Sequence, residues 1–118
     1  LLPVSAPFHC SLMKNAADNM SGKIMNVKFQ SPKKEIISNV TAKAEKSPED
    51  LKKLLIEQIY SKVRWRESII YMNEKKINDY IEIGPGKVLT GLVKRIIPNS
   101  NSFSINSIDD IKNLKNES

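Results

Sequence analysis

The sequence predicts an α/β fold, with a short, mostly parallel sheet flanked by helices. Three observations lead there. Short β-branched runs alternate with amphipathic stretches along the chain. Pro and Gly fall between these segments, at Pro7, Pro32, Gly84-Pro85-Gly86 and Pro98. The resulting order is strand, helix, strand, helix, helix, strand, helix, strand, helix. Such alternation favours helices packed on a parallel sheet.

Leu1–Val4 reads as the end of a strand, broken by Pro3 and then by Ser5-Ala6-Pro7. Leu12, Met13, Ala16, Ala17, Met20 and Ile24 recur at spacings near three and four. They predict a helix over Cys10–Met25 with those side chains inward. Val27–Phe29 reads as a short strand or an extended link. Ile36–Val40 is β-branched and reads as a strand. Ser47-Pro48-Glu49-Asp50 is a helix start: a capping hydroxyl, a proline suited to the first turn, and two acids at the positive end of the dipole. That helix runs to about Tyr60 with Leu51, Leu54, Leu55 and Gln58 on one face. An amide on an apolar stripe must find partners, which makes Gln58 unusual. A further helix covers Arg66–Lys76, with Trp65, Ile69, Ile70 and Met72 inward. Tyr80–Ile83 is a strand, and Gly84-Pro85-Gly86 a tight turn. A helix follows with Val88, Leu89, Leu92, Val93 and Ile96 inward, ended by Pro98. Phe103–Ile105 is a last short strand and Ile108–Leu114 a final helix.

The chain has 118 residues, enough for one domain and too few for two large ones. Its formal charge is +6, which favours an acidic partner through faster encounter. The basic residues are spread in pairs, as a solvated basic surface would have them. No aromatic platform or recognised module accompanies the charge, which argues against a nucleic-acid partner. No apolar run approaches a membrane span, and no secretory signal is visible. The single cysteine, Cys10, allows no internal disulfide, so a cytoplasmic setting is expected. The chain opens without an initiator Met, as a fragment or a processed piece would.

Few residues can carry chemistry. His9 is the only histidine and stands at a loop-to-helix junction. An imidazole there can act as general base for a hydroxyl or thiol nucleophile, or serve as an ordinary surface histidine. Cys10 is adjacent, but neighbouring residues at a helix start diverge, so a packing role is favoured. One His and one Cys cannot complete a zinc shell. Gly84-Pro85-Gly86-Lys87 lacks both the Walker spacing and the dinucleotide fingerprint, and reads as a strand-to-helix turn. An anion could still approach the helix start behind it. No serine lies in a Gly-x-Ser-x-Gly elbow, so the chain offers a base without its nucleophile.

Four segments together carry a resemblance: Val4-Ser5-Ala6-Pro7-Phe8-His9-Cys10-Ser11-Leu12-Met13-Lys14; Ser38-Asn39-Val40-Thr41; Gln58-Ile59-Tyr60-Ser61-Lys62-Val63-Arg64-Trp65; and Ile81-Glu82-Ile83-Gly84-Pro85-Gly86-Lys87-Val88-Leu89-Thr90-Gly91-Leu92. In this order and spacing they resemble the malonyl-CoA:acyl-carrier-protein transacylases, over residues 1–97. The resemblance implies the C-terminal part of an α/β-hydrolase-like acyltransferase large subdomain over 1–97. Residues 98–118 then form a C-terminal strand and helix tail. It implies a ping-pong acyl transfer without metal or cofactor, in which malonyl-CoA is a substrate. A serine takes the malonyl group from CoA, and the phosphopantetheine thiol of acyl carrier protein then receives it.

On the same resemblance, His9 matches the general base. Gln58 matches the residue whose backbone carbonyl orients that histidine. Phe8 resembles the malonyl-selective pattern beside the histidine. The Gly-His-Ser elbow, the arginine for the malonyl carboxylate and the oxyanion-hole loop have no counterparts in these residues. The resemblance places them in an upstream N-terminal half, without which the chain is expected to be inactive. Lys87, Lys94 and Arg95 are candidate docking residues for acidic acyl carrier protein. A non-catalytic docking module is the alternative reading.

Overall fold

A computed structural model describes residues 8–117. The strand expected at Leu1–Val4 lies outside them. The chain divides into two compact units, Leu1–Ser68 and Ile69–Ser118.

The first unit opens with a single 3-10 turn, Ser11–Met13, and continues into α1, Lys14–Asn26. A hairpin of β1, Ile36–Ile37, and β2, Ala44–Glu45, leads to α2, Pro48–Gln58. The third helix, α3, spans Trp65–Glu74, and its first turn belongs to this unit. Packing of α1 on α2 buries Ala17 completely and leaves Leu51 only 8% exposed. The α2 start forms as its residues dictate. The Ser47 hydroxyl accepts from the Asp50 N–H at 3.3 Å, and Pro48 takes the first helical position.

Three expectations change here. Cys10 is extended rather than helical, so the α-helix starts only at Lys14. Leu12, Met20 and Leu55 are exposed rather than inward. The strand expected over Ile36–Val40 stops at Ile37 because Ser38 begins a tight turn. Its hydroxyl accepts from the Val40 N–H at 3.1 Å, and its carbonyl accepts from the Ala42 N–H at 2.8 Å. The return strand β2 is two residues long and lacks β-branched residues, so it left no trace in the sequence pattern.

In the second unit β3, Asp79–Ile83, pairs in parallel with β4, Asn101–Ile105, in register from Asp79↔Asn101 to Ile83↔Ile105. The connection between them is α4, Val88–Ile96, and α5, Ile108–Glu117, packs on β4. The helix α3 closes on itself. Lys76 adopts a left-handed φ of 64°, its N–H donates to the Asn73 carbonyl, and the Ile77 N–H reaches back to Met72. The parallel ladder is the longer of the two, as the fold class requires.

Burial alternates along β3, but in an inverted sense. Tyr80 and Glu82 are half-buried, whereas Ile81 and Ile83 are exposed. The reason is α4, whose start Glu82 reaches. Val93 is the buried anchor of α4, while Val88 and Leu89, expected inward, are exposed.

Candidate active site

Left-handed backbone occurs at three non-glycine residues among those described, and one is His9, with φ 53°. Histidine tolerates this region better than most residues. The bend precedes the extended Cys10 and turns the imidazole toward the end of α2. There His9 Nδ1 lies 2.8 Å from the Gln58 carbonyl oxygen, across a sequence separation of 49.

The end of α2 explains why that oxygen is available. The last four carbonyls of an α-helix have no partners within it. The chain returns on itself to satisfy two of them here. Ile56 O accepts from the Ile59 N–H, and Glu57 O accepts from the N–H groups of Tyr60 and Ser61. The next carbonyl, Gln58, accepts from the imidazole. A carbonyl can only accept, so Nδ1 carries the proton and Nε2 keeps its lone pair. The site is therefore a histidine held in one tautomer by a main-chain carbonyl. Phe8, beside it, is 55% exposed.

The Gly84-Pro85-Gly86 turn behaves differently. Gly84 and Gly86 have φ of 140° and 84°, which side chains rarely allow, and nothing stands within 4 Å of the position an added Cβ would take. They serve the backbone bend rather than a close approach. The helix start behind them is filled from within. Glu82 accepts from the Leu89 N–H at 3.3 Å, the Thr90 N–H at 2.8 Å and the Thr90 hydroxyl at 2.7 Å. These bonds, the Thr90 amide foremost, hold the Glu82 carboxyl below its ordinary range against a smaller opposing effect of desolvation. The amides to which an external anion could have bound are thus occupied by the chain's own carboxylate.

Lys87, Lys94 and Arg95 are all exposed. Lys87 precedes α4, and Lys94 and Arg95 lie in its last turn, where positive charge suits the dipole. They are separated by about 10 Å of helix rise. Lys87 also contributes to lowering the Asp110 carboxyl, after the larger effects of the Asn106 N–H and the Ser107 hydroxyl. Ser107 and Asp110 form a reciprocal cap at the start of α5. Its Ser-x-x-Asp spacing was readable in the sequence. Lys52 is only 8% exposed; its Nζ donates to the Met25 carbonyl at the end of α1 and lies over the Phe29 ring. It also pairs with Glu49 one turn earlier at 3.9 Å, but the contacts that go with its burial, to Met25 and Phe29, lie 23 or more residues away and leave no sequence pattern.

Among the described residues no helix is long and apolar enough to cross a membrane, and no group of three His, Cys, Asp or Glu side chains could hold a metal.

No family model matches the chain. A malonyl CoA-acyl carrier protein transacylase of Escherichia coli K12 is 39% identical over 105 residues, 89% of this chain and 34% of that protein. Over nearly all of its length the chain corresponds to a C-terminal portion of the malonyl-CoA:acyl-carrier-protein transacylases. Solved structures agree with that assignment. An acyl carrier protein S-malonyltransferase from Vibrio cholerae matches with TM-score 0.87 and 42% identity, covering 96% of this chain and 37% of that one. A malonyl-transacylase in complex with a type II PKS acyl-carrier protein matches with TM-score 0.84 and 40% identity, covering 98% of this chain and 38% of that one. The chain is thus an α/β segment of a transacylase fold, and it spans about a third of the length of the curated relatives it matches.

Proposed function

We propose that this chain is the base-bearing portion of a protein that transfers malonyl from CoA to the phosphopantetheine thiol of acyl carrier protein. The serine nucleophile lies on the upstream N-terminal half. The observation that carries the reading is the 2.8 Å contact of His9 Nδ1 with the Gln58 carbonyl, which leaves Nε2 as a base. The names of the relatives supply the acyl group and the acceptor.

In the first half-reaction Nε2 takes the proton of the serine hydroxyl as its oxygen bonds to the thioester carbonyl carbon. The C–S bond then breaks, and the imidazolium returns the proton to the CoA thiolate. In the second half-reaction Nε2 takes the proton of the carrier thiol as its sulfur attacks the malonyl ester. The C–O bond to serine breaks, and the proton goes back to the serine oxygen. The imidazolium forms twice, each time at the negative end of α2. The Gln58 main chain, not its side chain, orients the ring. Phe8 lines the malonyl group beside it. Lys87, Lys94 and Arg95 face the acidic carrier protein and raise its rate of encounter. The protein works in the cytoplasm, and the reaction needs no metal or cofactor.

The test is malonyl transfer from CoA to acyl carrier protein by this chain, with and without a separately made N-terminal half. Transfer only in the mixture is expected. No transfer from folded, associated halves would leave this chain as a docking module.

A further inference from the structure

We infer that Arg64 is a positioning residue for the His9 base, acting through the linker between α2 and α3. The inference rests on the role proposed for His9. Two motifs, Ser38–Thr41 and Gln58–Trp65, are separate in sequence but meet in the first unit, and Arg64 is where they meet. Its backbone N–H donates to the Asn39 carbonyl at 2.9 Å. Its Nη1 donates to the Thr41 carbonyl at 3.2 Å, and its Nε pairs with Glu67.

The turn that receives Arg64 is stiff. Ser38 and Ala42 are buried, Ala42 has φ 54°, and Thr41 Oγ1 donates to Glu45 at 2.9 Å. The other side is equally anchored. The Arg64 carbonyl accepts from both the N–H and the hydroxyl of Ser68, which is 3% exposed.

The linker therefore has two fixed ends. Its first residues are tied to α2 through the Ile56 and Glu57 carbonyls. Its last, Arg64, is tied to the turn. An open cleft of about 500 Å³, lined in part by Val40, Glu57, Ser61 and Val63, borders the linker. With so much open space beside it, packing alone does not fix where the linker runs. Arg64 does so with its backbone N–H to the Asn39 carbonyl and a guanidinium bond from Nη1 to the Thr41 carbonyl, while the Nε pair with Glu67 holds the planar group in place. The position of the linker sets how α2 ends, and the Gln58 carbonyl that holds the imidazole is the last residue of α2. A shift of about 1 Å at a group that orients a base is enough to cost up to about a hundredfold in rate.

The experiment uses the full-length protein and compares Arg64→Ala, Arg64→Lys and His9→Ala. Arg64→Ala is expected to lower kcat about tenfold with KM nearly unchanged. Arg64→Lys, which keeps the charge and one donor, recovers part of the loss. In nitrogen-15 spectra of histidine-labelled protein, the His9 signal moves from the Nδ1–H tautomer toward a mixture of tautomers in Arg64→Ala. Wild-type kcat per folded protein with an unchanged His9 tautomer would overturn the inference. Should Arg64→Ala not fold, Arg64→Lys decides on the same two readouts. His9→Ala separates the two levels. If it is inactive while both Arg64 variants behave as wild type, only the positioning role fails. If it stays active, the function itself is misassigned.

Discussion

The ends of α2 and α4 show two uses of the same physics. Every helix terminus leaves backbone groups without partners. At the start of α4 the chain supplies its own, as Glu82 on β3 fills two amides and the Thr90 hydroxyl. At the end of α2 the chain satisfies Ile56 and Glu57 and leaves the Gln58 carbonyl to His9. The first arrangement closes a site that might have bound an anion. The second turns an unsatisfied carbonyl into a device that fixes a tautomer.

The largest expected effect falls on the α2 end. His9→Ala in the full-length protein should lower malonyl transfer by about two to four orders of magnitude, the usual worth of a general base. A variant keeping most of the activity in a steady-state assay would refute the role. The end of α1 tests the structural counterpart, where Lys52 satisfies the Met25 carbonyl from an almost buried position. Lys52→Ala should cost about 2 kcal/mol, since a charged hydrogen bond and the packing of its stem are both lost. Denaturant unfolding would show it, and a change within error would mean that Lys52 is dispensable.

Glu82→Gln sharpens the contrast from the α4 side. The folded-state carboxyl sits below its ordinary range, chiefly through the Thr90 amide. Its contribution is therefore fully present above the ordinary glutamate range and is lost as pH falls from there through the folded value. The variant should melt a few degrees lower at neutral pH, and the gap to wild type should close in acid. A gap that persists at low pH would point to a packing effect instead. The smallest effect belongs to Gln58→Ala, where activity should stay within about threefold because the orienting group is main chain. A large loss would give the amide side chain a role that the geometry does not.

Much of this contrast was legible beforehand. The Ser47-Pro48 start of α2, the parallel pairing class, and the Gly84-Pro85-Gly86 bend follow from local rules, and each forms where expected. Periodicity was less reliable about what faces inward. Leu12, Met20, Val88 and Leu89 fit an apolar stripe yet remain exposed. A stripe shows which face can be buried, not what covers it.

By itself the sequence determined where α2 begins and where the chain bends between β3 and α4, which family the chain resembles, and that its one histidine comes without a Gly-x-Ser-x-Gly serine. These depend on residues within a few positions of one another or on motif order. Only the tertiary structure decided that the α2 carbonyl reaches the imidazole, that Glu82 fills the α4 start, and that Arg64 ties the linker to the Ser38–Ala42 turn. Each of those is a hydrogen bond between residues 8 to 49 positions apart. Its geometry is set by how elements pack, and sequence spacing cannot encode that distance.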